Sequence, residues 1–571
     1  MHDASLFSSQ PILTAAEMRA CDTHTMTMGG VPSQVLMERA ARAVAQYLLD
    51  RVDLFPAGPV VVLCGSGNNG GDGLAAARFL ASGAMKGTRE VRVIYVGRCN
   101  EAGEPDEARM SVECARQYRL AQAAGMKIET SASLADALHG ATAVVDAIFG
   151  IGLDRPIAGA MAEVLQMIIA SGLPVLAVDI PSGVNADTGL VMGLALPARA
   201  TVTMQALKAG LLLYPGADLC GEIAVAEIGV TLAAAEPRLH MADEALLRRV
   251  LEPRTRRSHK GTYGRVLLLC GSVGMSGAAV LCARAALRSG AGLVEVLTPE
   301  ENRVVLQAAV PEAIVSAYAA SPLIGQSDAE RHAALRETVR RAVANADAVV
   351  AGCGLGRSDT SRAALDMLLS ALPQNREIPL VLDADALNLL AEDGALWAKV
   401  PPERTQTVIT PHPAEMVRLF NQLSVDRPGQ ACGCGRSVSE ILAHLLDCAA
   451  EYAQKRGVTV VLKDAHTVVA SPDGACRICT AGNAGMATGG SGDALAGIMG
   501  ALLSQVRMRL GGTVSMAEAV GAAVYLHAAA GDIAAERLGE CGLLPSDLID
   551  TLPLVTQNFS NSCTRVEWMG D

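Results

Sequence analysis

Aromatic and basic residues are scarce in this chain of 571 residues, and both shortages restrict what it can be. Only 3% of the residues are aromatic although 50% are hydrophobic, so small aliphatic side chains and glycine must build the core. Buried parallel sheets covered by helices have a core of that kind. The formal net charge is −12 and no basic stripe is visible, which argues against a protein that binds nucleic acid.

Long apolar runs and paired cysteines are also missing. No apolar stretch is long enough to cross a bilayer, and no signal pattern opens the chain, so we expect a cytoplasmic protein with no membrane partner. The 15 cysteines are scattered, as expected for reduced core residues rather than a disulfide framework. Cys432 and Cys434 form one close pair without a second ligand pair, and we interpret them as incidental thiols in a loop.

Alternating strand and helix patterns in two halves of the chain predict two α/β domains. Such alternation is typical of a parallel sheet with helices on both faces. The strands predicted in the first half are residues 59–64, 91–96, 143–146, 174–180 and 200–204, and those in the second are 265–270, 292–297, 348–350, 379–383, 407–410 and 458–463. We place the domains at residues 1–235 and 251–560, with a charged, strand-poor linker at 236–250.

A glycine-dense run at residues 483–493 leads directly into an apolar helical segment. A helix N-terminus offers unpaired N–H groups and a positive dipole end to an anion, and glycines let the backbone approach a phosphate closely. Asp493 lies at the mouth of such a site, where a carboxylate would repel phosphate unless it takes a proton from an attacking hydroxyl. The alternative interpretation is a glycine-rich turn with Asp493 as the helix N-cap.

A second glycine-rich run, residues 65–73, follows the first predicted strand and precedes a helix. It contains G-x-G-x-x-G, but the next strand lacks the acidic residue that would contact a ribose. Its amides and carboxylate suit a phosphate and a hard cation together.

Asp146 and Asp179 each lie at the end of a predicted strand, and the two strands are neighbours. Either aspartate alone could be a turn or cap residue, but together beside this run they predict a site at the sheet edge.

These residues resemble the YjeF N-terminal family, which has a Rossmann-like fold and includes NAD(P)H-hydrate epimerases. The resemblance covers residues 10–230 and rests on residues 68–73, Asp146 with 149–150, and Asp179 within 178–183. It implies three sets of contacts. Those with the dinucleotide phosphates are Asn68, Asn69, Gly70, Gly71 and Asp72. Those with a potassium ion are Asn69, Asp146 and Ser182. Those with the hydrated nicotinamide are Gly150, Ile151, Gly152, Leu153, Asp154, Arg155, Pro156 and Asp179. Lys208 matches a family lysine whose neighbours differ here.

The reaction that this resemblance implies suits these groups. Hydrated NAD(P)H carries a hydroxyl on the ring carbon next to the nitrogen, in R or S configuration. Epimerisation breaks that C–O bond and re-forms it on the opposite face. Asp179 would carry the proton and the ring nitrogen lone pair would supply the push, so no redox cofactor is needed.

Residues capable of chemistry also follow the predicted strands of the second half. They occur in segments 259–265, 271–279, 352–356, 383–388, 410–416 and 463–467. Any one segment could be an ordinary turn, and His412 alone would more often pack or cap than bind a ligand, but together they follow the carboxyl edge of one sheet. The set resembles the ADP/ATP-dependent NAD(P)H-hydrate dehydratase family, which is similar in fold to ribokinases, over residues 245–555.

This second resemblance implies two further sets of contacts. Those with the hydrated dinucleotide are Ala278, Gly356, His412 and Asp493. Those with the adenine nucleotide are Lys463, Asp464, Ala465, His466, Thr467 and Gly492. Asp464 stands where the family usually has glycine. Asp493 would deprotonate the ring hydroxyl, which attacks the terminal phosphoryl group of ADP or ATP, and phosphate then leaves to restore NADH or NADPH.

Together the two halves predict a bifunctional nicotinamide-nucleotide repair enzyme, an isomerase fused to a lyase. An N-terminal Rossmann-like three-layer sandwich would interconvert the R and S hydrates, and a C-terminal ribokinase-like three-layer sandwich would dehydrate the S form. The implied cofactors are potassium at the first site and Mg²⁺ with ADP or ATP at the second, and the family implies a homo-oligomer. The alternatives are a ribokinase-like kinase for a vitamin precursor and a non-catalytic N-terminal scaffold.

Overall fold

Continuous runs of valine, leucine and alanine form the buried strands of two α/β units in this computed structural model, and the chain divides between Arg238 and Leu239. The two α/β domains expected from the sequence are therefore confirmed. The structure describes residues 10–83, 85, 87–321, 327–372, 378–400, 407–426, 437–509 and 514–557. Cys432 and Cys434 lie outside the described residues.

The N-terminal unit has short strands joined by helices. Its strands are β1 Pro11–Leu13, β2 Val60–Cys64, β3 Val91–Tyr95, β4 Ile128–Thr130, β5 Ala143–Ala147, β6 Val175–Val178, β7 Ala200–Met204, β8 Leu207–Lys208 and β9 Glu222–Ala226. Its α-helices are α1 Ala15–Thr27, α2 Ser33–Asp50, α3 Asn68–Ala81, α4 Val112–Ala123, α5 Leu134–Leu138, α6 Ala160–Ser171 and α7 Gly216–Cys220.

Seven of these strands form one parallel sheet in the order β4-β3-β2-β5-β6-β7-β9, while β1 and β8 pair with each other. Strands β2, β5, β6 and β7 are buried at every residue, as in a sheet covered on both faces. The strand order reverses between β2 and β5. Ligands of open α/β sheets bind at the carboxyl ends of the strands at such a point.

The glycine-rich run after β2 is helical rather than a loop, because α3 already begins at Asn68. Its glycines allow close packing that any side chain would prevent. A Cβ on Gly70 would lie 1.9 Å from the carbonyl oxygen of Gly65, and one on Gly73 would lie 2.5 Å from the Cβ of Ala147. Gly67 is the N-cap and has no side chain to bond the first N–H groups, so these remain available to an anion.

The C-terminal unit repeats the alternation on a larger scale. Its strands are β10 Leu239–Met241, β11 Arg265–Leu269, β12 Leu293–Pro299, β13 Ile314–Tyr318, β14 Ala348–Ala351, β15 Leu380–Leu382, β16 Thr407–Ile409, β17 Thr459–Leu462, β18 Thr467–Ala470 and β19 Cys476–Cys479. Its α-helices are α8 Glu244–Val250, α9 Ser276–Arg288, α10 Arg303–Ala309, α11 Asp328–Ala344, α12 Asp359–Ala371, α13 Asp385–Glu392, α14 Gly394–Trp397, α15 Pro413–Asp426, α16 Val438–Ala443, α17 Leu445–Arg456, α18 Ser491–Arg509, α19 Met516–Leu538 and α20 Pro545–Thr556.

The sheet of this unit runs in the order β13-β12-β11-β14-β15-β16-β17-β18-β19-β10. Strands β11 to β17 are parallel, and β18 pairs antiparallel with both β17 and β19. Helices α9 and α18 pack against each other through small residues: a Cβ on Gly497 would lie 2.2 Å from the carbonyl oxygen of Cys282. Both helices begin at the carboxyl edge of the sheet, because α9 follows β11 and Asp493 at the start of α18 lies close to Asp383, which follows β15.

The segment predicted as a linker contributes to the fold of this unit from Leu239 onward. Strand β10 pairs with β19, and the apolar residues of α8 are buried in the core although charged residues surround them in the sequence.

The predicted cysteine chemistry agrees with the structure, because every cysteine in the described ranges is a free thiol. No helix of the described part of the chain is long and apolar enough to cross a membrane.

Candidate active sites

A cavity of about 600 Å³ opens at the point where the strand order of the N-terminal unit reverses. Its walls come from α1, α2, the start of α3 and the loop after β5. The predicted residues that line it are Asn68, Asn69, Asp72, Gly150, Ile151, Gly152, Leu153 and Asp179. A cavity of this size, with convergent polar groups at a strand-order reversal, suits a small-molecule ligand.

Asp179, at the end of β6, is held by the buried ammonium of Lys208. The Nζ of Lys208 donates to Oδ1 of Asp179 at 2.6 Å and also to Thr203 Oγ1 and the Met204 carbonyl oxygen. The hydroxyl of Thr203 and the amide of Met204 donate to the same Oδ1. Asp179 also has a φ of 68°, an unusual backbone conformation for a residue other than glycine, of the kind that clusters at functional sites.

Three further carboxyl groups line this cavity with Asp179, namely Asp22, Asp72 and Glu113. Burial raises the pKa of Asp22 on α1 to about 6, an effect that Lys208 opposes and Asp179 reinforces. Burial, together with Asp179 and Asp22, raises the pKa of Asp72 well above its ordinary value. Burial in this cavity therefore raises the proton affinity of both Asp22 and Asp72, as is common for carboxyl groups at functional sites.

Asp146 and Ser182 form a buried pair beneath the cavity. The hydroxyl and the amide of Ser182 donate to the Asp146 carboxylate at 2.7 and 2.8 Å, and the amide of Phe149 donates to the Ser182 hydroxyl. Burial raises the pKa of Asp146 against the opposing effect of these hydrogen bonds. The amide Nδ2 of Asn69 is buried without a hydrogen-bond partner. The oxygen atoms of Asp146 and Ser182 are of the kind that binds a hard cation, whereas the unpartnered Nδ2 of Asn69 is a donor and suits an acceptor such as a phosphate oxygen.

The other predicted residues of the first site have different positions. Gly70 and Gly71 are buried behind the cavity, where they let α3 pack closely. Asp154, Arg155 and Pro156 are exposed in the loop after β5. Their contacts with the hydrated nicotinamide stay predictions.

In the C-terminal unit, the two adjacent helices α9 and α18 begin beside the ends of strands β11, β14 and β15. Ala278 lies in the first turn of α9, and a Cβ on Gly354, after β14, would approach the Ala278 Cβ to 2.6 Å. Asp493 lies in the first turn of α18. Two helix N-termini side by side form a strong site for phosphate groups.

Asp493 faces a buried acid and a lysine. A side-chain oxygen of Asp493, one of Asp383 and the Sγ of Cys353 lie within 4.8 Å of one another. Asp383 accepts from Lys463 Nζ at 2.8 Å and from Thr410 Oγ1 at 2.6 Å. Burial and the nearby Asp383 raise the pKa of Asp493 to about 7. A carboxyl group with that pKa suits general base catalysis near neutral pH.

His412 and Glu415 form a capping pair at the start of α15. Nδ1 of His412 accepts from the amide of Ala414 at 3.2 Å, and the amide of His412 donates to Glu415 at 3.0 Å. Burial, Lys463 and Arg418 lower the pKa of His412, which keeps the ring neutral. About half of its side chain is exposed, so a ligand can reach it.

The predicted nucleotide contacts lie mainly in a hairpin. Lys463, Asp464, Ala465, His466 and Thr467 connect β17 to antiparallel β18, beside the carboxyl edge at which Asp493 lies. A Cβ on Gly492 would lie 3.6 Å from Nζ of Lys463, so this glycine keeps the space near the lysine open. Asp464 is partly buried in the hairpin, and its carbonyl oxygen accepts from Thr467 Oγ1 at 3.4 Å.

Gly356 follows β14 with a φ of 73°, and its amide donates to Asp385 at 2.8 Å.

The structure also adds residues that the sequence did not single out as ligands. Asp22 and Thr203 lie around Asp179, and Cys353 and Asp383 lie around Asp493. Asp383 was visible as the acid ending a predicted strand, whereas nothing in the pattern of α1 distinguished Asp22 from an ordinary surface acid.

Comparisons with known proteins agree with this two-part organisation. The model of the NAD(P)H-hydrate dehydratase family matches residues 266–554, and the model of the YjeF-related protein N-terminus matches residues 33–210. A bifunctional NAD(P)H-hydrate repair enzyme of Thermofilum pendens is 37% identical over 95% of this chain and 95% of its own length. A protein of Escherichia coli K12 with the same description is 35% identical over 94% of this chain and 92% of its own.

Solved structures resemble the C-terminal unit. An ADP/ATP-dependent NAD(P)H-hydrate dehydratase of Bacillus subtilis, co-crystallised with ATP and Mg²⁺, is 29% identical and covers 56% of this chain and 98% of its own, with a TM-score of 0.43. A ribokinase-like superfamily protein of Enterococcus faecalis is 28% identical and covers 57% of this chain and 97% of its own, with a TM-score of 0.44.

Proposed function

This chain belongs to the family of bifunctional NAD(P)H-hydrate repair enzymes, and from that premise we propose that its two units carry out successive steps on one substrate. The N-terminal unit interconverts the R and S forms of hydrated NADH or NADPH. The C-terminal unit dehydrates the S form at the expense of ADP or ATP. The observation that carries the proposal is that each unit places the carboxyl group expected to be catalytic, Asp179 or Asp493, at the carboxyl edge of a parallel sheet beside a helix N-terminus.

At the first site, the N-terminus of α3 binds the dinucleotide phosphates and the loop after β5 covers the hydrated ring. The ion pair with Lys208 fixes the position of Asp179, so that this carboxylate accepts the proton of the reacting water. The ring nitrogen supplies the electron pair that expels the hydroxyl. Epimerisation leaves the redox state of the ring unchanged.

At the second site, Asp493 takes the proton of the ring hydroxyl, whose oxygen attacks the terminal phosphoryl group of the nucleotide. The N-termini of α9 and α18 stabilise the phosphoryl oxygens, and Lys463 places a positive charge beside them. Phosphate then leaves with the former hydroxyl oxygen, and loss of a ring proton restores NADH or NADPH. Phosphorylation is needed because hydroxide is a poor leaving group.

Two ions complete this proposal. Asn69, Asp146 and Ser182 would hold a potassium ion, which would supply positive charge beneath the first cavity; the buried carboxylate of Asp146 beside the Ser182 hydroxyl supports the choice of oxygen ligands. Asp383 and Asp493 are the nearby oxygen donors that would help to hold Mg²⁺ with the nucleotide, where the ion would neutralise phosphate charge. The predicted homo-oligomer and cytoplasmic location stay predictions, to be checked by light scattering and cell fractionation.

The test uses a mixture of R and S NADH hydrate with Mg²⁺ and either ADP or ATP, and follows the return of reduced-nicotinamide absorbance. The wild type should restore the whole mixture. Asp179→Asn should restore the S share, and the R share only as slowly as it epimerises spontaneously. Asp493→Asn should restore none. Comparing the two nucleotides decides which is preferred. If the wild type restores nothing while it phosphorylates a vitamin precursor to a stable product, the alternative of a kinase with an N-terminal scaffold is correct.

A further inference from the structure

Helix α1 presents one carboxyl group to the epimerase cavity. Met18, Asp22 and Met26 are spaced four residues apart, and all three line the cavity, so they share one face of the helix. Asp22 is therefore an acid between two thioether side chains. No described residue donates a hydrogen bond to it, whereas Asp179 accepts three on one oxygen. Asp22 is thus free to exchange its proton with a ligand.

The reaction needs two different proton-transfer groups. One must protonate the hydroxyl that leaves the ring, and another must take a proton from the water that adds to the opposite face. Asp179 already accepts three hydrogen bonds on Oδ1, one of them from the ammonium of Lys208 at 2.6 Å, which positions it as the proton acceptor. Asp22 reaches the cavity from α1, on a different wall from the end of β6 where Asp179 lies.

We propose that Asp22 is the acid of the epimerase site, working opposite the carboxylate of Asp179. The C–O bond of the hydrate breaks, its electron pair stays on oxygen, and that oxygen takes the proton of Asp22 and departs as water. The ring nitrogen lone pair forms a C=N bond. Water then adds to the other face, its proton passes to Asp179, the C=N electrons return to nitrogen, and proton exchange through the cavity water resets both acids. This assignment rests on the proposed epimerase function.

The electrostatics of the cavity support this division of roles. Burial raises the pKa of Asp22 to about 6, with Asp179 reinforcing and Lys208 opposing the rise, so much of this group is protonated in mildly acidic solution. The charged and titratable groups lining the same cavity are Arg19, Asp22, Asp72, Glu113, Asp179 and Lys208. Arg19 is turned to the cavity rim, where it donates to the carbonyl oxygen of Ile151.

The test measures conversion of pure R-hydrate by Asp22→Asn, Asp22→Glu and Glu163→Gln, with the Asp179→Asn chain added in excess to dehydrate all S-hydrate formed. Glu163 is an exposed carboxylate on α6 and controls for the lost charge. Asp22→Asn should lower kcat by about 10²- to 10⁴-fold with little change in KM, since that is the usual contribution of a general acid. Asp22→Glu should recover part of the rate, and Glu163→Gln should match the wild type.

The pH profile separates chemistry from folding. An acid acts only while protonated, so the wild-type kcat for R-hydrate should fall as the pH rises above about 6, and this fall should be missing in Asp22→Asn. Recovery of S-hydrate by each variant's own dehydratase site should be unchanged. A kcat for Asp22→Asn within twofold of the wild type, or an unchanged pH profile, would overturn the assignment. If the wild type itself fails to convert R-hydrate, the proposed epimerase function is wrong instead.

Discussion

Replacing Asp493 with asparagine should abolish dehydration and at the same time stabilise the C-terminal unit above neutral pH. The two effects have one cause, because burial and Asp383 make the ionised carboxylate of Asp493 costly. Asparagine has nearly the same shape but cannot ionise, so it removes that cost together with the base. We expect the rate of S-hydrate recovery to fall by about 10²- to 10⁴-fold, which is the usual contribution of a general base.

The size of the stabilisation follows from the shift in pKa. The pKa of Asp493 rises from 3.8 to about 7, a difference of about three units. Each unit corresponds to about 1.4 kcal/mol, so the ionised carboxylate destabilises the folded unit by up to about 4 kcal/mol above pH 7. The penalty is absent below pH 4, where both states are protonated, and grows between pH 4 and 7, because the unfolded chain releases the proton first.

Urea unfolding without nucleotide, followed by tryptophan fluorescence, measures this difference. Both tryptophans of the sequence follow residue 390, and Trp397 is buried, so the signal reports the C-terminal unit. Asp493→Asn should raise the free energy of unfolding by about 2 to 4 kcal/mol at pH 8 and by less than about 1 kcal/mol at pH 4.5. An equal gain at both pH values, or none at pH 8, would refute the claim that Asp493 is a desolvated base.

Three further predictions concern the same chain. The kcat/KM for S-hydrate should rise with pH and reach half its maximum near pH 7, because Asp493 must be ionised to act; a profile that is flat between pH 5.5 and 8.5 would contradict this. Lys208→Met should abolish R-hydrate conversion and cost the N-terminal unit about 3 to 5 kcal/mol in thermal unfolding, since it leaves Asp179 without its buried partner, while S-hydrate recovery stays intact. Asp464→Gly should tighten ADP binding in calorimetry by up to about fivefold at low salt, because it removes a negative charge near the nucleotide phosphates, and unchanged affinity would mean that this carboxylate points away from them.

The parts of the fold that could be predicted are those encoded in short stretches of sequence. Strands β2, β5 and β14 are runs of buried aliphatic residues, and the polar residues that follow them identified the carboxyl edges where both sites lie. Parallel pairing brings such strand ends together without any further information. For this reason the amino-acid sequence alone is enough to propose Asp146 and Asp179 as site residues, and the glycine-dense run before a helix does the same for Asp493.

The features that escaped prediction depend on contacts between distant residues. Asp22 reaches the cavity only because α1 forms one of its walls, and it is 157 residues from Asp179 in sequence. The start of α3 was hidden because Asn68 to Gly73 are poor helix formers, and close packing against Gly65 and Ala147 overrides that tendency. The core role of α8 was obscured by charged neighbours.

The contact between Gly497 and the backbone of Cys282 shows one consequence of a core with few aromatic residues, because small residues let two helices touch directly. Two helices separated by large side chains can be repacked by many substitutions, but helices in backbone contact have a spacing that no rotamer can adjust. Ala278 and Asp493 stand at the starts of these helices, so the spacing between these two predicted site residues is fixed by the absence of side chains about one turn further along. We therefore expect evolution to have exchanged the surfaces of these helices freely while keeping the seam between them small.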